Sequence, residues 1–259
     1  MADTRTRRRT GRPREPEPHH EGVMHVLDAP GGLTDRARRF LSARARTVPF
    51  PNIPNPGDAE VAERLAAFPG VDKDVFLAGL RRAQARYGGL VYRTSAWSLE
   101  EEIRFHPWPS YEASAEHGPL GQFIGHGVAH PYSVTLRGDG AVVYRFGRDV
   151  AVFPDVDALI EADALYWECE SWIPVVEPKP GQSPAGVWEA ASGLPLIGEG
   201  HTEWWWESDG FRVHLWRTFA ELFDQERLVK WGVWARDEAG VRAARRFLAG
   251  LPARVDGTS

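Results

Sequence analysis

Cysteine, methionine and lysine are all scarce in this chain of 259 residues. It has one cysteine, two methionines, and lysine only at positions 73, 179 and 230. The lone Cys169 excludes an intramolecular disulfide and any multi-cysteine zinc site. A reducing cytoplasm is therefore the expected setting. No apolar run approaches the roughly 20 residues that a membrane helix needs. The N-terminus has arginines but no apolar core, so no secretory signal is expected. Also missing are a GxSxG elbow, a P-loop, a GxGxxG after a strand, a CxxC pair and an HExxH pair. Common hydrolases, nucleotidases, dehydrogenases and zinc proteases leave such traces.

What is present is ordinary in bulk and uneven in detail. Hydrophobic residues make up 42% and charged residues 26%, as in globular proteins generally. Residues 1–46 hold 11 Arg against 6 Asp or Glu, leaving 20 basic against 30 acidic residues beyond them, a net of −10. An acidic body does not suit a nucleic-acid surface, which needs clustered Lys and Arg. It suits solubility, or a basic protein partner. The preference for Arg over Lys points to a GC-rich bacterial genome. Eleven tryptophans supply both core area and potential binding anchors.

Residues 1–23 are Arg, Pro, Glu and His with almost nothing apolar, and are expected to be a disordered basic tail. Met24 is the only other methionine, and structure-like sequence begins just after it. The expectation is that Met24 is the true start and the tail a mis-called extension. Residues 24–57 read as a short helix, capped by Thr34 and Asp35 and running to about Arg46, followed by a linker with four prolines over 48–57. Asp58 opens a helix to Ala67. Asp72 opens a stronger one, in which Phe76, Leu80, Ala83 and Tyr87 share a face and Gly88-Gly89 gives the stop.

A strand is expected over 90–94. The segment 97–129 is polar and rich in His and Glu, and has no clear period. Tyr132, Val134 and Leu136 then alternate with polar residues up to a Gly-Asp-Gly turn at 138–140. Val142, Tyr144 and Phe146 continue the pattern, which is a hairpin signal. A short strand at 150–153 leads through Pro154-Asp155 into a helix ending near Glu168. Residues 170–199 read as irregular. The hairpin-then-helix order recurs at 202–223, with a turn at Ser208-Asp209-Gly210, then a strand at 228–235 and a helix capped by Asp237 and closed by Gly250. Helices first, then antiparallel hairpins or a meander with a helix trailing each hairpin, give an α+β fold rather than a βαβ sheet.

Val71 to Gly89 (VDKDVFLAGLRRAQARYGG), the strands after it, and the acidic helix with its Pro-Asp entry (PDVDALIEADALYWE, 154–168) together resemble the SUKH superfamily. That family includes bacterial immunity proteins of polymorphic toxin systems. The resemblance covers about residues 71–168. It implies an α+β domain over 58–171, with 172–259 as a C-terminal α+β extension packed on it. It also implies a non-enzymatic protein-binding module that caps a toxin, and it carries over no catalytic residue.

Three local runs could carry chemistry. GHGVAH places His126 and His130 four apart, but two glycines and a following proline make it a loop rather than a ligand pair. No metal or cofactor is expected. In HTEWWWESDG (201–210), Trp204 and Trp206 share one strand face while Trp205, Glu203 and Glu207 share the other. Both faces could be covered by the two sub-domains, or one could be exposed, where Trp beside carboxylates could stack on a sugar ring or grip a basic partner. Around Cys169, the carboxylates Glu168 and Glu170 make a reactive thiolate unfavourable. The candidate partner-binding residues are thus Glu168, Glu170, Glu203, Trp204, Trp206 and Glu207, with a protein, such as a basic toxin, as the partner. The alternative is an enzyme of unrecognised type, with a pocket lined by His, Glu and Trp between 97–130 and the Trp-rich strand.

Overall fold

The computed structural model describes residues 22–49, 57–68, 70–94, 96, 101–114, 118–126, 132–177 and 186–251. The basic tail and most of the proline-rich linker lie outside the described residues. So do His117, His130 and the side chain of His126.

The first half is a seven-stranded antiparallel sheet whose strands neighbour one another in chain order. Helix α1 (Asp35–Arg44) starts where Thr34 accepts a hydrogen bond from the Ala37 amide. It ends two residues earlier than its sequence suggests. Residues 45–47 are drawn out instead as β1 (Ala45–Thr47), which pairs with β2 (Leu90–Thr94). Val26, Leu33, Ala37, Phe40 and Leu41 are all buried in the core of this half. Residues 26–41 are therefore integral to the sheet domain and not a leader to it. Helix α2 (Asp58–Leu65) packs on α3 (Lys73–Tyr87), which Asp72 caps through the amides of Asp74 and Val75.

The stretch with no legible period forms two long strands, β3 (Glu101–Ser114) and β4 (Gly118–His126). Their pairing shifts register between Phe105 and Trp108 and again between Pro109 and Ala113. The first shift adds one residue to β3, which flips the side-chain phase, and the second adds two, so the alternation a strand would otherwise write into its sequence is interrupted. Strands β5 (Ser133–Leu136), β6 (Val142–Arg145) and β7 (Asp149–Phe153) complete the meander, with the expected turn at 138–140.

Helix α4 (Val156–Cys169) follows, its first turn held by the Asp155 carboxylate accepting from the Ala158 amide. It is buried on several sides at once. Val156, Leu159, Ile160 and Ala164 face the first core, while Leu165 and Cys169 face Trp205 of the second half. Its remaining stripe, Asp157, Glu161 and Glu168, is partly exposed and taken up by Arg86, Arg36 and Arg39.

The second half is a five-stranded antiparallel sheet of order β8-β12-β11-β10-β9. Its strands are β8 (Ile173–Val176), β9 (Leu196–Glu199), β10 (Glu203–Ser208), β11 (Phe211–Trp216) and β12 (Lys230–Ala235). Among these, β8 and β9, with the short helix α5 (Val187–Ala191) between them, fall in the segment expected to be irregular. Both are edge strands that bury little, so their conformation comes from pairing with a neighbour and not from a side-chain pattern. Helix α6 (Thr218–Phe223) joins β11 to β12 and sends Leu222 into the first core. Helix α7 (Glu238–Ala249) and α5 cover one face of this sheet, and α4 covers the other. The fold is thus α+β, with two antiparallel sheets and an enclosed helix between them.

The β10–β11 turn places both Asp209 (φ 45) and Gly210 (φ 77) in the left-handed region, the pattern a two-residue hairpin turn demands. Helix α7 approaches this turn so closely that a methyl group on Gly240 would collide with the Gly210 carbonyl. Gly240→Ala should therefore lower the unfolding free energy by about 1–3 kcal/mol, as for other overpacked sites. A helix-propensity gain alone would instead raise it. Urea titration of the two proteins distinguishes the signs.

Candidate functional site

The run EWWWES of β10 has both faces covered, each by a different layer. Trp206 packs with α5 and α7 in the second core and is buried, and Trp205 packs against Leu165 and Cys169 of α4. Glu203 points with Trp205 to the α4 side and is only 2% exposed. Glu203 and Trp206 therefore do not form the accessible partner surface expected of them. Strand alternation shows which residues share a face, but not what lies over that face.

Buried carboxylates need partners, and Glu203 has two. Trp205 Nε1 donates to Glu203 Oε1 at 2.8 Å, and His214 Nε2 lies 3.1 Å from the same oxygen. The Trp205 and His214 rings stack with centroids 4.0 Å apart, and the Tyr166 hydroxyl of α4 sits 3.2 Å from His214 Nε2. On the other side of α4, Asp163 accepts from the Tyr92 hydroxyl at 2.6 Å and the Thr94 hydroxyl at 2.5 Å. A polar seam thus runs through the junction of the halves, carried by α4.

Burial pushes the Asp163 carboxyl up from the usual 3.8 to about 7. The hydrogen bonds from Thr94 and Tyr92 offset that only in part, and the nearby Glu203 adds to it. Burial, helped by Glu203 and Asp163, also pushes the Tyr166 hydroxyl well up.

Three of the expected residues do come together. Glu168 and Glu170 line a cleft of about 480 Å³ with Arg39, Trp172, Arg212 and Arg236, and Glu207 lies behind it, bonded to the last two arginines. They form a ladder of alternating charge. Arg39 reaches Glu168 at 2.9 Å, Glu168 reaches Arg212 at 2.7 Å, Arg212 reaches Glu207 at 2.8 Å, and Glu207 reaches Arg236 at 2.8 Å. Glu170 is taken by Arg44 at 2.6 Å. The guanidinium of Arg212 also lies 4.3 Å from the Trp172 ring centroid, and that of Arg236 lies 5.0 Å from it.

Burial pushes the Glu168 carboxyl up, but hydrogen bonds from Arg212 and Arg39 and the arginine charges outweigh it and hold it below the usual range. The acidic residues of this face are therefore already neutralised by the chain's own arginines. The face does not present the acidic surface that a basic partner would seek. Arg212 faces Glu207 across the 208–210 hairpin turn, a pairing that the hairpin pattern implies, but Arg39, Arg44 and Arg236 are distant in sequence and carried no local signal.

Cys169 lies behind the ladder. Burial pushes its thiol up to about 12, and the Arg212 charge and hydrogen bond oppose this only in part. The thiol is buried, and desolvation dominates, with the neighbouring carboxylates Glu168 and Glu207 as lesser causes.

Trp204 remains partly accessible and has company that the sequence did not reveal. Trp188 of α5 is 40% exposed and stands edge-on to Trp204, with centroids 4.7 Å apart, and to Trp206 at 5.5 Å. Leu196, 48% exposed on β9, pairs directly with Trp206 and so shares its sheet face. Trp188, Trp204 and Leu196 form one apolar patch.

Among the described residues, no group of three His, Cys, Asp or Glu could hold a metal ion, and no helix is long and apolar enough to cross a membrane. No known family model matches the chain, and no curated protein or solved structure is significantly similar to it.

Two measurements follow from this geometry. Between about pH 4 and 7 the unfolded chain has released the Asp163 proton that the folded chain retains. The group therefore contributes stability that is lost as pH rises through that window. Asp163→Asn removes this dependence. In paired denaturation series, the unfolding free energy of the wild type should fall relative to that of D163N from pH 4 to 7 and then level off. A constant difference would contradict the raised pKa. In the ladder, Arg212 is 4% exposed, and Arg212→Met strands two partly buried carboxylates. It should cost about 2–4 kcal/mol, whereas the solvent-facing Arg39→Ala should cost less than about 1 kcal/mol.

Proposed function

We propose that the chain is a non-enzymatic protein-binding module, and that its partner is anchored on the patch of Trp188, Trp204 and Leu196. The observation that carries this reading is an exposed tryptophan held edge-on against two others beside an exposed leucine. Rigid aromatic groups at the centre of an apolar patch dominate the energetics of protein interfaces, because they lose little conformational freedom on binding. The resemblance of residues 71–168 to SUKH immunity proteins supports a narrower version. In that version the partner is a toxin of a bacterial polymorphic system, and the module neutralises it by capping it in the cytoplasm.

The enzyme alternative calls for a pocket where His, Glu and Trp converge. Among the described side chains, that convergence is the group Glu203, His214 and Trp205. All three are at most 2% exposed, and their polar atoms face one another. The arrangement supports a role in joining the two halves.

The test is affinity capture from the native cytoplasm, followed by calorimetry with the purified partner. Trp188→Ala combined with Leu196→Ser should weaken that complex at least roughly tenfold, the scale of a lost interface anchor. Unchanged affinity would move the interface elsewhere. Failure to capture any partner with the wild-type protein would count against the binding reading itself.

A further inference from the structure

The solvent side of helix α7 carries charge that the chain leaves uncompensated. Gly240, Val241, Ala243 and Ala244 are buried against the second sheet, and Phe247 packs on Phe211 of β11. Arg242, Arg245 and Arg246 fall at i, i+3 and i+4, so they share the outward face, and all three are exposed. Elsewhere in this half the arginines have partners. Arg212, Arg217 and Arg236 each have a carboxylate within 3.0 Å, and Arg227 bonds to Gln225. Among the described residues, the three on α7 have neither. Glu238 stands one turn before Arg242 without pairing to it, and no acid stands one turn before Arg245 or Arg246. The helix dipole accounts for Arg246 alone, which lies in the last turn.

Beside these arginines lies the tryptophan patch. Helix α7 runs over β12 and β11, and α5 lies over β10, where Trp188 meets Trp204 and Trp206. Both helices seal the same core from the same side of the sheet. Strand β10 is two places from β12 in the sheet, which sets the helices about 10 Å apart at a strand spacing of about 4.8 Å. Their outward faces therefore form one surface. The acids on the two helices are Glu189 and Glu238 against three arginines, so this surface is positive in a chain of net charge −5. An aromatic anchor flanked by arginines has the composition of an interface core.

We propose that this surface docks an acidic segment of the partner polypeptide. The arginines of α7 take its carboxylates, and Trp188, Trp204 and Leu196 take an apolar side chain beside them. The proposal rests on the protein-binding reading above and adds the sign of the partner's charge, the reverse of the basic partner that the acidic composition suggested. Unpaired guanidinium groups offer charge-assisted, bidentate contacts to carboxylates. A polypeptide suits the surface better than a nucleic acid does. The chain beyond position 46 has 20 basic against 30 acidic residues, which repel an extended polyanion along its whole length. A short acidic stretch stays within the local field of α7, because charges beyond about 8 Å are screened at physiological salt.

The test uses the full chain and the peptide Glu-Glu-Leu-Phe-Glu-Glu, with Gln-Gln-Leu-Phe-Gln-Gln as its neutral counterpart, followed through backbone amide shifts. The acidic peptide should shift residues 187–190, 196 and 242–246 saturably at millimolar concentration, and its affinity should fall as salt rises. The glutamine peptide should bind roughly fivefold more weakly or less, the scale of a few exposed ion pairs. Arg242→Glu combined with Arg245→Glu changes two exposed positions before the last turn of α7. It should weaken the acidic peptide roughly tenfold, since two attractions become repulsions, and leave the glutamine peptide unchanged. The amide spectrum reports whether the fold of the double variant is intact.

Equal binding of the two peptides, shifts that are absent or lie elsewhere, or a double variant that binds as well as the wild type would overturn the acidic partner. So would a short DNA duplex that binds the same residues more tightly than the acidic peptide. The double variant should also weaken the complex with the captured partner. If Trp188→Ala with Leu196→Ser weakens that complex and the arginine variant does not, the protein-binding reading stands and the acidic partner falls. A failed capture bears on the protein-binding reading, and the peptide titration decides the arginine surface by itself.

Discussion

Helix α4 has no free side, and the rest of the structure is arranged around that constraint. Its apolar residues are divided between two sheets, with Leu159 and Ile160 facing the seven-stranded one and Leu165 and Cys169 the five-stranded one. A helix enclosed this way brings its polar residues into the interior as well. Asp163 is buried and Tyr166 half-buried, and each sheet supplies their partners, Tyr92 and Thr94 on one side and His214 on the other. Once His214 and Trp205 are committed to this seam, Glu203 is drawn in with them. The charge ladder through Arg212 then closes the end of the same helix, where Glu168 leaves α4 and meets the second sheet.

The two routes to holding the halves together differ physically. The apolar contacts of α4 are non-directional and tolerate small displacements. The seam and the ladder do not, because a buried carboxylate displaced from its donors by about 1 Å loses most of what offsets its desolvation. The apolar contacts supply adhesion and the polar ones fix the register. Arg212 shows the combination well, with carboxylates on two sides, a thiol near its third nitrogen and the Trp172 ring beside the guanidinium plane.

Much of the fold was legible in the sequence for local reasons. The strands on either side of the 138–140 and 208–210 turns keep their alternation and carry strong turn residues, and Asp72, Asp155 and Asp237 cap the helices their positions suggest. What was not legible depends on neighbours. Strands β8 and β9 are extended because β12 and β10 pair with them, and the extra residues in β3 interrupt the pattern that would reveal a strand. The candidate site failed to read for the same reason. Glu168 and Glu170 look like free acids in one dimension, and only the folded chain brings Arg39, Arg44 and Arg212 to them; Glu207 has Arg212 opposite it in the hairpin, but its second partner Arg236 comes from the end of β12. Trp204 stays partly accessible in the company of Trp188, which lies in a stretch that shows no pattern of its own.

The enclosed position of α4 also bears on how such a chain can be inherited. The helix belongs by sequence to the first sheet and by surface to both. A gene rearrangement that kept residues through α4 and dropped the rest would leave Leu165, Cys169 and Tyr166 facing solvent on a helix with nothing to replace the lost wall. The second sheet, taken alone, would lose the cover over Trp205 and the counterpart to His214. Neither half is a portable module, and the two must be duplicated, shuffled or lost as a single evolutionary unit.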